Sequence, residues 1–221
     1  MKNILTLILL GSFLTGCMQS KYKDLIHTST PTNINTESRY LFFMHGKIVE
    51  KKGIPASSRR YGDYDYLDML DTFASNGFNV ISETRRSGTD VHDYAIKITD
   101  QVVELIRSGV PASHITVSGF SKGGRMTMIV SSILNNKDIN YVVLAGCRLS
   151  NRYDYDLNPS GRVLSIYDTS DDSFGSCSGV FEEGNVNLVT NEIVLDTGEG
   201  HGVFYTPITE WVEPMMSWAI N

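Results

Sequence analysis

The strongest chemical signal in the 221-residue chain is the run Gly119-Phe120-Ser121-Lys122-Gly123. It fits the pattern G-x-S-x-G, in which a serine sits on a sharp turn between a strand and a helix. That turn is strained, and its strand and helix pack so closely that a side chain at either glycine would collide. The geometry pushes the serine hydroxyl into the open. A helix amino terminus behind it favours the negative charge that develops during attack on a carbonyl. The pattern alone recurs by chance, and its plain alternative is a glycine-rich turn with a capping serine. The flanking elements decide between the two.

Those elements are readable. Tyr40–Met44 is a compact apolar strand ending at His45-Gly46. Leu67, Leu70, Phe73 and Ala74 recur at helical spacing, with Gly77 suited to the helix end. Phe78–Ile81 is the next strand. Asp90 can cap a helix whose face carries Tyr94, Ile98, Val102, Leu105 and Ile106, ended by Gly109 and Pro111. Ile115–Ser118 is a strand that runs straight into the serine turn, and residues 124–135 form a helix that runs out of it. Strands at 141–145, 163–167 and 192–195 follow. A last helix carries Trp211, Met215 and Trp218, and Pro214 is tolerable if it falls in that helix's first turn. Strands alternating with helices imply a mostly parallel central sheet with helices on both faces, an α/β architecture. In such sheets the working site lies at the carboxyl ends of the strands.

With its serine turn in that context, the chain resembles the α/β-hydrolase superfamily over about residues 40–220. The resemblance implies the order nucleophile, acid, base. It points to His201, in Gly198-Glu199-Gly200-His201-Gly202, as the base. It places the acid in the loop after 163–167, where Asp168, Asp171 and Asp172 compete and Asp171 is favoured. A neutral histidine can take the serine proton and return it to the leaving group, and the carboxylate stabilises the imidazolium. The oxyanion would be held by the backbone amides of Lys122 and, after the His45-Gly46 pair, Lys47, with both lysine side chains free to face solvent. The family's strand order also makes the strands preceding Cys147 and Cys177 neighbours, so these two cysteines are expected to form a disulfide beside the site, the plain alternative being two buried thiols. Arg85 and Arg86 end another strand on the same side. They suit an anionic substrate group, a solvated loop or a structural ion pair.

The amino terminus reads differently. A short basic start is followed by an apolar run from Ile4 to Leu14, too short to span a membrane, which takes about 20 such residues. Leu14-Thr15-Gly16-Cys17 resembles a bacterial lipobox, which implies cleavage after residue 16 and lipidation of Cys17. The expected organisation is a signal peptide at 1–16, a lipid-anchored tether at 17–38 rich in Ser, Thr, Asn and Lys, and a hydrolase domain at 39–221, exported and held at the cell envelope. The net charge of -6 carries no basic stripe, so no nucleic-acid partner is expected. No zinc spacing, P-loop or dinucleotide fingerprint is present, and the implied chemistry requires no metal or cofactor.

The expected activity is that of a carboxylesterase-like serine hydrolase cleaving an ester, or else a thioester or amide, of a small acyl substrate through an acyl-enzyme. The short stretch between 145 and 163 leaves no room for a large lid. The rival reading is a non-catalytic, membrane-tethered binding protein on the same scaffold.

Overall fold

The computed structural model of the protein describes residues 21–148, 157–182 and 184–221. The leader and Cys17 lie outside the described residues. In chain order the elements are β1 (Ile26–His27), β2 (Arg39–Met44), α1 (Lys47–Lys52), β3 (Ala56–Ser58), β4 (Gly62–Tyr64), α2 (Tyr66–Ser75), β5 (Phe78–Ile81) and α3 (Val91–Arg107). There follow β6 (Ile115–Phe120), α4 (Lys122–Leu134), β7 (Asn140–Leu144), β8 (Cys147–Arg148), β9 (Gly161–Asp168), β10 (Phe174–Gly175), α5 (Ser178–Phe181), β11 (Leu188–Leu195) and α6 (Thr209–Ile220).

Seven strands form one sheet in the order β1-β5-β2-β6-β7-β9-β11, and every neighbouring pair in it is parallel. Side chains alternate across β2. Leu41 and Phe43 join the core under α2 and α6, with Met69, Phe73, Trp211 and Met215. Tyr40, Phe42 and Met44 face the opposite core under α3 and α4, with Ala95, Val102, Met126 and Val130. Helices thus cover both faces, as a sheet of buried parallel strands requires. Asp90 caps α3 by accepting from the amides of His92 and Asp93.

Two expectations need correction. Within the stretch 17–38 read as a tether, Ile26 and His27 instead pair with Val80 and Ile81 as the edge of the sheet. A two-residue strand has no alternation to recognise, so composition alone assigned it to the linker. Pro214 lies in the second turn of α6 and not the first. It leaves the carbonyl of Glu210 without its helical partner, and Glu210 is exposed.

The chain leaves β2 for β5 on one side and later returns to place β6 on the other. The carboxyl ends of β2 and β6 therefore flank the point where strand order reverses, the usual crevice of an open α/β sheet. Beyond β7 and β9, the short strands β8 and β10 pair antiparallel, with Phe174 opposite Arg148 and Gly175 opposite Cys147. Cys147 and Cys177 are joined by a disulfide with a Cα–Cα distance of 5.2 Å. As expected from neighbouring strands, the bridge spans 30 positions of sequence. Closing a loop of that length restricts the unfolded chain by roughly 3–4 kcal/mol. Paired Cys147→Ser and Cys177→Ser substitutions should lower the unfolding free energy in urea by about that amount, and reductant should have no further effect on the double variant. An unchanged midpoint in the double variant would show that the bridge adds nothing.

Candidate active site

Ser121 joins β6 directly to α4 with φ 57° and ψ -114°. A non-glycine residue rarely holds a positive φ unless its surroundings enforce it. Here the Ser121 amide donates to Leu144 O at 2.8 Å, and its carbonyl accepts from the Arg125 amide at 3.1 Å. The flanking glycines show how tight the turn is. A Cβ on Gly119 would lie 2.4 Å from the carbonyl of Gly123, and one on Gly123 would lie 1.8 Å from Met44 O. Gly46 is held against the same turn, where a Cβ would meet the Phe120 ring at 2.9 Å. Lys47 and Lys122 are the first residues of α1 and α4. Amides at that helical position have no intrahelical acceptor. Both residues line, with Ser121, a cavity of about 520 Å³ at the ends of β2 and β6.

The loop after β9 separates the three acids by environment. Asp171 is buried, and its Oδ2 accepts from His201 Nδ1 at 2.6 Å. Its Oδ1 accepts from the amides of Ser173 and Phe174 at 3.0 and 3.1 Å, which holds the carboxylate plane. Asp168 serves the turn: it accepts from the amides and hydroxyls of Ser170 and Thr197. Burial raises its pKa, but those four bonds outweigh burial and bring it down to about 2. Asp172 is exposed and pairs with Arg60 at 3.0 Å. His201 lies in a short 3-10 turn, Gly200–Tyr205. Gly200 has φ +54° and sits so close that a Cβ there would be 2.9 Å from Ser170 O.

Aromatic rings fix the imidazole from several sides. Phe174 stacks on His201 with centroids 4.7 Å apart, and Phe120, the residue before Ser121, lies at 4.7 Å. Tyr61, from the turn between β3 and β4, lies at 6.3 Å. Neither Phe174 nor Tyr61 is visible as a site residue in the sequence, because neither falls at a motif position.

A second feature went unread: a buried charge cluster under the loop after β2. Glu50 accepts from Arg85 Nε at 2.8 Å and from Lys122 Nζ at 2.7 Å. Lys122 also donates to Thr89 O at 2.6 Å, so its side chain does not face solvent as expected; Lys47 remains exposed. Arg85 is buried within a structural ion pair and is closed to substrate, whereas Arg86 is exposed. Arg85 also donates from Nη2 to His45 O and lies over the Tyr94 ring. His45 Nε2 accepts from the Arg85 amide at 3.0 Å. Its Nδ1 lies 2.8 Å from Gly46 O, and only a donor fits there. These partners define a neutral imidazole with its proton on Nδ1.

Burial first, and the Arg85 guanidinium second, hold the His45 pKa down to about 3 against 6.5 for a free imidazole. The unfolded chain therefore binds a proton between those values that the folded protein refuses. Stability from this residue is intact above pH 6.5 and is lost as pH falls towards 3, with a slope of about 1.4 kcal/mol per pH unit. Urea unfolding across this range should show that extra slope in the wild type relative to His45→Gln. If the variant does not fold, the nitrogen chemical shifts of His45 in the wild type provide the check. They should report a neutral ring down to about pH 4, and titration near 6.5 would refute the assignment.

Among the described residues no helix is long and apolar enough to cross a membrane, and no group of three or more His, Cys, Asp or Glu could hold a metal. No protein-family profile matches the chain, and no curated protein matches it in sequence. Solved structures do match. A phospholipase/carboxylesterase from Dyadobacter fermentans aligns over 83% of this chain and 90% of its own, with 14% identity and a TM-score of 0.55. SOBER1 from Arabidopsis thaliana aligns over 83% and 99%, with 11% identity and a TM-score of 0.52. DcsB, solved with a substrate analogue, aligns over 84% and 90%, with 13% identity and a TM-score of 0.57. At such low identity what is shared is the path of the chain, and that path is the α/β-hydrolase fold.

Proposed function

We propose that the protein is a serine hydrolase, carboxylesterase-like, in which Ser121, His201 and Asp171 act in sequence on an ester. The observation that carries the reading is the 2.6 Å Asp171–His201 bond, with the His201 ring packed against the residue that precedes a strained, cavity-lining Ser121. The name of the Dyadobacter neighbour, phospholipase/carboxylesterase, agrees with it.

In this reading Ser121 Oγ attacks the substrate carbonyl while His201 Nε2 takes its proton. Asp171 holds Nδ1–H and stabilises the imidazolium. The carbonyl π pair moves onto oxygen, which the amides of Lys47 and Lys122 receive. Each such donor is worth about 3 kcal/mol in the transition state. Collapse of the tetrahedral species breaks the ester C–O bond, and the imidazolium proton leaves with the alcohol. Water, deprotonated by His201, then attacks the acyl-enzyme and releases the acid, and the proton returns to Ser121. The lipid anchor at Cys17 is part of the proposal and rests on the lipobox-like run alone. Intact mass of protein isolated from membranes should show a diacylated chain beginning at Cys17, and an unmodified Cys17 would remove the anchor.

A fluorophosphonate probe should label Ser121 in the wild type, and Ser121→Ala should remove p-nitrophenyl ester hydrolysis. Among the acids, Asp171→Asn should lower kcat by about four orders of magnitude. Asp172→Asn should leave it near wild type, and Asp168→Asn should act mainly on stability. An unlabelled Ser121 in folded protein would favour the non-catalytic binding role.

A further inference from the structure

The lining of the cavity beside Ser121 carries, among the described residues, more cations than carboxylates, in a chain that is acidic overall. The protein carries 25 Asp and Glu against 19 Lys and Arg. Among the described residues, four cationic side chains and one carboxylate nevertheless line this cavity: Lys47, Lys122, Arg125, Arg148 and Asp90. Lys122 is neutralised by Glu50 and is discounted. Asp90 is committed to capping α3, its Oδ1 accepting from two amides. Arg125 is engaged by another group and is set aside, which leaves Lys47 and Arg148, contributed by two separate elements. Among the described residues neither Lys47 nor Arg148 has a carboxylate within ion-pair distance.

The position of Arg148 is built and not incidental. It lies opposite Phe174 in the β8–β10 ladder, and Phe174 stacks on His201. The residue before it, Cys147, is tied to Cys177. The backbone of Arg148 is therefore held one strand pairing away from the residue that stacks on the imidazole. Lys47 begins α1 at the opposite loop, after β2, and Arg125 lies one helical turn from Ser121 on α4. Lys47 and Arg148 line the same cavity as the hydroxyl proposed to react.

We propose that this cavity selects esters bearing an anionic group, a carboxylate in the simplest case, on the acyl or the alcohol part, with Arg148 and Lys47 as its receptors. The proposal names the substrate class of the hydrolase site and rests on that reading for turnover. The planar fork of Arg148 suits a carboxylate in two-point contact, and Lys47 adds a point charge. An anion held there stays outside the buried Arg85–Glu50–Lys122 cluster and leaves the amides of Lys47 and Lys122 free for the oxyanion.

Two matched pairs of probes test it. Mono-p-nitrophenyl adipate against its methyl ester places the charge on the acyl part. 3-Acetoxybenzoate against its methyl ester places it on the alcohol part. In at least one pair the anion should be preferred in kcat/KM by about tenfold, the scale of one charge-assisted contact. Arg148→Gln with Lys47→Gln should bring that ratio close to one, and added salt should erode it in the wild type. A ratio at or below one in both pairs, or a preference untouched by the double substitution, overturns the proposal. Calorimetric titration of Ser121→Ala protein with monomethyl adipate and dimethyl adipate reads the same selectivity without turnover. The monoanion should bind about tenfold more tightly, and equal binding counts against the proposal. If neither ester pair is hydrolysed and Ser121 resists the probe, the hydrolase reading fails on its own, and the titration still decides the charge preference.

Discussion

Much of this structure depends on the absence of one methyl group. Gly123 approaches β2 so closely that a Cβ would sit 1.8 Å from Met44 O. This contact sets α4 hard against the end of β2, and Gly119 lets α4 close back on β6 in the same way. With both in place, the loop after β2 and the turn after β6 share one crevice. Lys47 at the start of α1 and Lys122 at the start of α4 then line one cavity with Ser121. The strain at Ser121 follows from that geometry, since a strand entering and a helix leaving so close together leave the intervening residue only the left-handed region of φ.

Close packing alone would leave the loop after β2 free to move, and a buried carboxylate holds it. Glu50 on α1 joins Arg85, beyond β5, to Lys122, at the start of α4, so one anion links three elements around the serine. Removing such a group from water costs several kcal/mol, which only good pairing can offset, and two cationic partners supply it. His45 completes the cluster as a neutral ring. It accepts from the Arg85 amide, and a proton on that nitrogen would break the bond and set two positive charges side by side. Refusal of a proton at His45 is thus part of how the loop after β2 keeps its shape.

The sequence was informative where the determinants are local and silent where they are not. The strands at 40–44 and 78–81, the Asp90 cap and the serine turn each depend on a few consecutive residues, and all were legible. Choosing His201 and Asp171 needed the order of elements along the chain as well, and among three acids within five positions it is the bond from Asp171 to the His201 ring that favours Asp171. Glu50 could not be read at all. In Lys47-Ile48-Val49-Glu50-Lys51-Lys52 it looks like a solvated charge on a short helix, and its partners lie 35 and 72 positions away. Arg85 was open between anion receptor and ion pair for the same reason. Phe174 and Tyr61 reach His201 from a two-residue strand and a short hairpin, elements too small to have a periodicity.

The segment that carries the acid also carries the means of holding the base. Asp171 receives its second set of hydrogen bonds from the amides of Ser173 and Phe174, and the Phe174 ring covers the imidazole that Asp171 orients. Three residues later Cys177 fastens the same stretch to β8. The ladder opposite places Arg148 beside Phe174, so Asp171, the Phe174 ring and the backbone of Arg148 form one unit fastened to β8 by a covalent link. An independent loop for each would require its own packing to hold sub-ångström geometry. By sharing one braced segment, the fold makes the orientation of His201 and the placement of positive charge at the cavity consequences of a single constraint. A disturbance of that segment should therefore affect both together.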